Sequence, residues 1–356
     1  MSLVLNGTTG ITNLPSINSG QIGGSRNKVI NGAMVISQRN GGASVTPTNG
    51  LYTLDRWQGL LAQASKYTVI QSATAPTGFI ESLLVTSSSA YSLADGDYFD
   101  IAQYVEGLNM ADLAWGTASA ATVTLSFYVR SSLTGTFGGS LQNNGQARSY
   151  PFSYAISSAD TWEKKSITIA GDTSGTWLAT NGRGIQLNFS LGTGATFSGS
   201  AGSWAGANYL GTTSTVSVVS TNAATWYVTG VQLEKGATAT DFEHRNFGEE
   251  LSLCERYYQL VPQVGLAYAG ATTTVDTCCP FRTTMRAAPT MSAIAAITVT
   301  NVTAADFAQS SPNITGSVSV GSSSAHLRLG NFSGLTTSDM YLCRNGDMNV
   351  AANAEL

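Results

Sequence analysis

Apolar and polar residues alternate with a period of two over most of the chain, a pattern typical of β-strands that bury one face. Between residues 27 and 247 the segments rich in Val, Ile, Thr, Phe and Tyr predict at least eight strands. They cover residues 28–37, 66–71, 82–87, 98–105, 121–130, 165–170, 184–191 and 225–233. Turn-forming pairs such as Asn49-Gly50 and Asn144-Gly145 separate them. No helical period interrupts this region, so we expect an antiparallel, all-β structure.

A two-sheet jelly roll is the natural way to close so many antiparallel strands. In the segment 121–130 the alternation predicts which side chains face the core, namely Val123, Leu125, Phe127 and Val129. Trp57, Trp162 and Trp226 stand in similar strand-like contexts, and we expect them to pack in the core as well.

One helix is predicted after this region, over residues 248–260, where Glu249 and Glu250 suit a helix N-terminus. Leu251, Cys254 and Tyr258 would share one face of it. Strand patterns then resume at residues 265–269, 272–280, 290–293, 297–302, 318–320, 326–329 and 340–343.

The predicted organisation therefore has four parts. Residues 1–25 form an N-terminal attachment arm, 26–247 the jelly roll, 248–262 a connecting helix and 263–356 a smaller C-terminal β-domain. The arm consists of short apolar–polar alternations broken by Gly, Asn and Pro15, which cannot bury a core of their own. We expect it to extend along another protein; a disordered tail is the alternative.

The amino-acid composition and charge argue against several classes of function and site. Charged residues make up 11% of the 356 residues and the net charge is −4, so a basic surface for nucleic acid is not expected. The chain has two histidines, which excludes a His-rich zinc site. No apolar run approaches the ~18 residues of a membrane span. The N-terminus has neither the basic start nor the apolar run of a secretory signal. Four cysteines, two of them adjacent, suggest folding in a reducing compartment.

Several ordered segments resemble one family of proteins. They are residues 27–34 (NKVINGAM), 37–39 (SQR), 52–57 (YTLDRW), 228–236 (VTGVQLEKG), 240–245 (TDFEHR), 250–258 (ELSLCERYY) and 285–290 (MRAAPT). Together they resemble the tail fibres, or receptor-binding proteins, of tailed bacteriophages, especially those of marine and cyanobacterial hosts. The central domain of that family is similar to carbohydrate-binding jelly rolls.

The resemblance implies a virion protein of the tail that folds in the host cytoplasm and assembles as a homotrimeric fibre. The N-terminal arm would bind other phage tail or baseplate proteins, and the protein would recognise host surface polysaccharide. Scarcity of Lys and Pro on the predicted sheet edges agrees with edges that neighbouring subunits cover. The alternative is a purely structural virion component, such as a head fibre, capsid decoration or baseplate collar protein.

Aromatic residues in predicted loops are the candidate ligand contacts, because sugars stack on such rings while amide groups bind their hydroxyls. Trp177 lies in one turn-rich segment, and Trp204, Asn208 and Tyr209 lie in the Gly/Ser-rich segment 192–224. The alternative is a loop that packs on its own aromatic residues or on a neighbouring subunit.

The sequence offers weaker candidates for a calcium site and for glycoside hydrolysis. Asp95, Asp97 and Asp100 could supply oxygen ligands to Ca²⁺, although a solvated hairpin turn also explains their spacing. Glycoside hydrolysis needs two carboxylates, and the acidic residues leave that formally open. Depolymerising tailspikes carry a long repetitive β-helix, and no such repeat is visible. We therefore expect no enzymatic activity, no catalytic residues and no cofactor.

Overall fold

The computed structural model describes residues 16–17, 20–21, 25–262, 265–301, 303, 305–343 and 349–356. The chain divides into two compact units, Met1–Arg245 and Asn246–Leu356. Most of the predicted attachment arm, residues 1–25, lies outside the described residues. Within it, two short strands pair antiparallel. No helix in the described part of the chain is long and apolar enough to cross a membrane.

The N-terminal unit contains fifteen strands among its described residues. They are β1 (Ser16–Ile17), β2 (Gly20–Gln21), β3 (Leu51–Leu54), β4 (Trp57–Leu61), β5 (Tyr67–Ser72), β6 (Ser82–Ser87), β7 (Tyr98–Glu106), β8 (Val123–Ser131), β9 (Gly135–Asn143), β10 (Ser149–Ile156), β11 (Glu163–Ile169), β12 (Arg183–Thr193), β13 (Ser198–Gly199), β14 (Gly211–Thr212) and β15 (Thr225–Lys235). Single 3₁₀ turns occupy Gly107–Asn109, Ala111–Leu113 and Ala195–Phe197.

Two antiparallel sheets form a jelly-roll sandwich, which confirms the predicted fold class. One sheet has the order β10-β9-β12-β7-β4-β3, and the other has the order β11-β8-β15-β6-β5. Strands that are neighbours in space are therefore often distant in sequence, as in a jelly roll. The four side chains that were predicted to face the core from β8 are fully buried.

An aromatic cluster fills the centre of the sandwich. Phe189 of β12 contacts four other rings, with centroid distances of 5.0–6.3 Å, and these belong to Trp57, Phe127, Phe152 and Trp226. All five side chains are excluded from solvent. The core assignment of Trp57 and Trp226 is confirmed. That of Trp162 is wrong, because Trp162 is only half-buried and its ring contacts Tyr227 of the same unit.

The predicted strand over residues 28–37 is not formed. Asn31 and Met34 adopt positive φ angles of 56° and 60°, which a strand does not allow. The Asn31 amide group donates to the carbonyls of Ile36 and Asp55, and its oxygen accepts from the Ile36 N–H. Side-chain hydrogen bonds thus replace the sheet pairing that the alternation suggested.

Segments that carry the family resemblance contact one another where the first residues of the sandwich meet the residues around its last strand. The Asn27 oxygen accepts hydrogen bonds from the N–H groups of Val29 and Leu233. The Glu243 carboxylate accepts from the N–H groups of Arg26 and Asn27, and it pairs with Arg245 at 3.0 Å. These residues therefore have a structural role, which is to hold the first residues of the sandwich against its last strand.

The C-terminal unit begins with helix α1 (Phe247–Glu255). Its strands are β16 (Tyr258–Val261), β17 (Gly265–Ala271), β18 (Thr274–Pro280), β19 (Thr290–Ala293), β20 (Thr298–Thr300), β21 (Asp306–Ala308), β22 (Ile314–Val320), β23 (Ser324–Leu329), β24 (Met340–Cys343) and β25 (Val350–Asn353). They form a three-stranded sheet, β16-β25-β19, and a seven-stranded sheet, β21-β20-β24-β17-β18-β23-β22. A core of its own joins the two sheets.

The helix ends at Glu255, five residues before the predicted end at residue 260. Tyr258 lies in strand β16, which pairs with β25, and so does not share a helix face with Leu251 and Cys254. The side chain of Gln259 explains the difference. It donates to the Thr283 carbonyl and accepts from the Arg282 N–H, which fixes the extended backbone in place.

Candidate functional site

The two loops that carry the candidate tryptophans lie side by side. The rings of Trp177 and Trp204 are 5.4 Å apart and nearly perpendicular. Trp115, which was not among the predicted ligand contacts, contacts both at 4.7 and 5.3 Å. Tyr150 adds a fourth ring against Trp204 at 5.3 Å. We call Trp115, Trp177 and Trp204 the tryptophan cluster.

The cluster is fixed by its polar atoms as well as by packing. The Nε1–H groups of Trp115, Trp177 and Trp204 donate to the carbonyls of three loop residues, which are Ala121, Ser174 and Ala170. Trp177 and Trp204 remain half-buried, whereas Trp115 is buried. Edge-to-face rings with satisfied N–H groups form a rigid support. The loops thus pack on their own aromatic residues.

Asn208 and Tyr209 attach the second loop to the sheet. The Gln142 amide group donates to Oδ1 of Asn208 at 2.7 Å and to the Tyr209 carbonyl at 3.0 Å. The Tyr209 ring lies so close to Gly199 that an added Cβ there would be 2.3 Å from the ring. Both residues therefore hold the loop in place, and their side chains are engaged within the protein.

Under this loop the outer face of the six-stranded sheet carries a buried polar layer. Gln186 donates to Asn188 at 2.8 Å, and Asn188 donates to Ser140 at 3.0 Å. All three are fully buried, as is Gln142, which links the layer to the loop. Satisfied amide networks of this kind fix a unique arrangement, because a partner lost in a dry environment is costly.

A cleft of about 380 Å³ opens beside the tryptophan cluster. We call it the hairpin cleft, because the turn between β9 and β10 forms one wall and the loop before β12 forms the other. Its lining residues are Asn143, Asn144, Gly145, Ala147, Arg148, Gly175, Thr176 and Leu178. Asn143 joins the walls: its oxygen accepts from the N–H groups of Ala147 and Arg148, and its amide group donates to the Thr176 carbonyl.

Arg148 is the charged residue of the cleft, and Asp172 holds it. Nε and Nη2 of Arg148 donate to the two carboxylate oxygens at 2.8 and 2.7 Å, a bidentate geometry. The hydrogen bond to Asp172 raises the pKa of the Arg148 guanidinium above its ordinary value. Gly175, at φ 78°, lets the loop approach, since a Cβ there would lie 2.5 Å from the Arg148 side chain.

This arrangement suits a neutral, hydroxyl-rich ligand. The Arg148 charge is compensated by Asp172, yet Nη1 makes no hydrogen bond to the described residues and keeps its N–H groups for a ligand. Thr176 adds a hydroxyl group, and Leu178 and Ala147 add apolar surface. A few convergent polar groups in a partly apolar cleft are the usual features of a small-molecule site.

The three aspartates proposed as calcium ligands are not brought together. Asp95 is exposed, and the Asp97 carboxylate accepts from the Tyr91 hydroxyl at 2.9 Å and from the Ala94 N–H at 2.8 Å. Asp100 is fully buried. Among the described residues, no three His, Cys, Asp or Glu side chains are close enough to hold a metal ion. Local hydrogen bonding of Asp97 and burial of Asp100 explain why the short spacing does not produce a site.

Asp100 is unusual in its own right, because neither carboxylate oxygen has a hydrogen-bond partner among the described residues. Burial raises the pKa of the Asp100 carboxyl well above its usual range. A folded-state pKa above the unfolded value makes the folded state bind more protons. Asp100 therefore makes its full contribution to stability below the ordinary pKa of aspartate. This contribution is lost as the pH rises towards the folded-state pKa, and no further loss occurs above that pKa.

We expect Asp100→Asn to remove this pH dependence. The variant should match the wild type near pH 4 and be more stable at pH 8, since each pH unit within the window costs the wild type up to about 1.4 kcal/mol. Urea unfolding at pH 4, 6 and 8 measures the difference. A constant difference between the two proteins at all three pH values would contradict the assignment.

The residues that shape the cleft, notably Arg148, Asp172 and Asn143, were not predicted from the sequence. A signal was present, because the turn Asn143-Asn144-Gly145 is followed by a lone arginine in a charge-poor region. Nothing in the sequence places Asp172, 24 residues later, against that arginine.

No family model matches the sequence, and no curated protein matches it either. Solved structures that are similar include the enzymatically active domain of tailspike protein 4 of bacteriophage CBA120, at 12% identity over 59% of this chain, with a TM-score of 0.33. That match spans 21% of the tailspike chain.

Two further similar structures come from Clostridium thermocellum. One is the family 11 carbohydrate-binding module of a cellulosomal cellulase, at 11% identity over 59% of this chain and 100% of the module, with a TM-score of 0.27. The other contains the carbohydrate-binding and catalytic modules of xylanase 10B, at 12% identity over 51% of this chain and 26% of that one, with a TM-score of 0.29. At such identities the likeness concerns the fold alone.

Proposed function

We propose that this protein binds glycans through the hairpin cleft. The observation that carries the proposal is the geometry of Arg148. Its guanidinium is fixed and neutralised by Asp172, its Nη1 makes no hydrogen bond to the described residues, and Thr176 and the apolar Leu178 line the same cleft. Sugars present both hydroxyl groups and apolar C–H faces, so such a lining matches their chemistry better than that of a charged ligand.

The tryptophan cluster has a supporting role in this proposal. Trp177 lies between Thr176 and Leu178 in the sequence, so its packing against Trp115 fixes the wall that both residues form. A rigid wall lowers the entropy that a ligand loses on binding. The half-buried rings of Trp177 and Trp204 also leave an edge of the cluster accessible to a sugar that extends from the cleft.

We further propose that the protein is a tail fibre of a tailed bacteriophage, non-catalytic and homotrimeric, which binds host surface polysaccharide. The ordered motifs from residue 27 to residue 290 and the charge-poor composition support this role. Three copies on one fibre would raise the avidity of a weak single site without any new contact. Residues 1–25 would join the fibre to the tail or baseplate.

Filling the cleft is expected to weaken glycan binding. An added Cβ at Gly145 meets no atom within 4 Å, so Gly145→Trp fits the fold and places a large ring in the cleft. We expect binding on an immobilised glycan array to fall at least ~10-fold, an effect of about 1.4 kcal/mol.

Gly96→Trp is the matched control, because Gly96 is equally open but lies outside the cleft lining. It should leave the array signal unchanged. Equal binding by both variants and the wild type would exclude the cleft as the site, and no binding by the wild type to any glycan would argue for a purely structural protein.

A further inference from the structure

The seven-stranded sheet of the C-terminal unit exposes a contiguous apolar face. Leu266 and Tyr268 of β17 stand directly opposite Leu342 and Met340 of β24. All four side chains are 44–62% exposed. The residues between them, such as Ala267 and Tyr341, point the other way into the core. Strand alternation therefore places four large apolar side chains together on the solvent side, which we call the apolar face.

Such a face is uncommon on a soluble monomer. Isolated exposed apolar side chains are ordinary, but contiguous apolar patches of a few hundred Å² usually mark an interaction surface. The opposite side of the same strands already buries its own apolar residues, so the exposed four are not needed to fill the core of the unit. Their exposure has a cost in water that contact with another apolar surface would remove.

One edge of the apolar face carries a compensated pair of charges. Beside Tyr268 lies Asp276, whose carboxylate accepts from Nε and Nη2 of Arg328 at 2.7 and 2.8 Å. The hydrogen bond from Arg328 lowers the pKa of the Asp276 carboxyl, so the pair stays ionised and neutral overall. At this edge two copies of the face can therefore approach each other without repulsion between like charges.

The size of the face also suits a subunit contact. Four half-exposed side chains offer on the order of a few hundred Å² of apolar surface. A standard interface buries about 800 Å² per partner, of which roughly 60% is apolar. The apolar face thus supplies part of the apolar centre of one such interface, and the Asp276–Arg328 pair supplies part of a polar rim.

We propose that the apolar face is the contact between copies of this chain, with a second copy as its occupant. The inference rests on the homotrimer of the proposed function and names the surface that holds it together. In a trimer the face would lie at the threefold axis, where each copy can contact both others. The C-terminal unit would then be the oligomerisation unit, separate from the cleft of the N-terminal unit.

The test uses the full-length protein and measures its mass by size-exclusion chromatography with light scattering. The wild type should have three times the mass of the 37.0 kDa chain. Leu266→Lys and Leu342→Lys should each raise the concentration of half-dissociation at least ~100-fold, as expected for a charge at the centre of an interface. Ile80→Lys is the control, because Ile80 is an even more exposed apolar residue of the N-terminal unit.

Cys278 provides a second measurement that needs no variant. It is exposed, whereas Cys254, Cys279 and Cys343 are buried. Thr277 pairs with Ala267, so Cys278 lies beside Leu266 at the apolar face. In the oligomer its thiol should react with a maleimide at least ~10-fold more slowly than in the wild type diluted until light scattering shows the monomer.

Three outcomes would overturn the proposal: a monomeric wild type, lysine variants of unchanged mass, or rapid labelling of Cys278 in an oligomeric wild type. The labelling of Cys278 tests the proposal even where a variant fails to fold. Glycan binding by the cleft is measured separately, so a failed contact assignment and a failed function are distinguishable.

Discussion

Phe189→Ala is expected to lower the free energy of unfolding of the N-terminal unit by about 3–5 kcal/mol. The phenylalanine is fully buried and its ring contacts four others, so truncation leaves a cavity that several rigid rings surround. Aromatic side chains on β-strands relax little into such a space, because sheet pairing fixes their backbones.

Tryptophan fluorescence during denaturant unfolding measures this effect selectively. All six tryptophans lie before residue 246, so the signal reports on the N-terminal unit alone. Phe189→Leu keeps most of the volume and should cost less than about 1.5 kcal/mol. If the alanine variant lost no more than the leucine variant, the site would not be the packed centre of the sandwich.

Asp172→Ala is expected to cost about 2–3 kcal/mol and to abolish glycan binding. The carboxylate is buried and accepts three hydrogen bonds, two from Arg148 and one from the Ser174 N–H. Its removal leaves the guanidinium unpaired in the cleft. The cost lies between the ~0–1 kcal/mol of an exposed ion pair and the ~3–5 kcal/mol of a buried one, because the Arg148 side chain is 21% exposed.

Asp160→Asn is the control for this prediction, because Asp160 has a φ angle of 54°, which Asn tolerates as Asp does and Ala does not. Asp160 pairs with Arg130 at 3.2 Å, but its side chain is 57% exposed. Its loss should change neither binding nor, by more than a few tenths of a kcal/mol, stability. Thermal unfolding and glycan-array binding of both variants give the comparison, and equal destabilisation by the two substitutions would contradict a special role for the Arg148–Asp172 pair.

Local pattern predicted the strands that alternate cleanly. The strand Ser82–Ser87 has its predicted bounds, and β7, β8, β12 and β15 differ from prediction by one or two residues at an end. The strands β9 and β10 were missed. β9 contains three glycines, which strand propensity disfavours, but Gly139 must lack a side chain because the Asn188 carbonyl lies 2.2 Å from where its Cβ would be.

The candidate site was predicted less well than the fold. Trp177 and Trp204 do meet, but Asn208 and Tyr209 serve to attach a loop. The cleft itself depends on Arg148 and Asp172, which are brought together only when the turn after β9 and the loop before β12 pack side by side. Long-range pairing of this kind leaves no period in the sequence.

The sequence by itself determined that the protein is an all-β, charge-poor chain with a jelly-roll sandwich. These features follow from alternation and turn residues, which depend only on residues a few positions apart. The tertiary structure alone decided which aromatic residues are buried, which polar groups converge on the cleft and which apolar residues stay exposed. Leu266 and Ala267 are adjacent apolar residues of one strand. Leu266 is exposed and Ala267 is buried, because the core packs against only one face of that strand. Burial depends on contacts between residues far apart in the chain, and these are set by how the sheets pack.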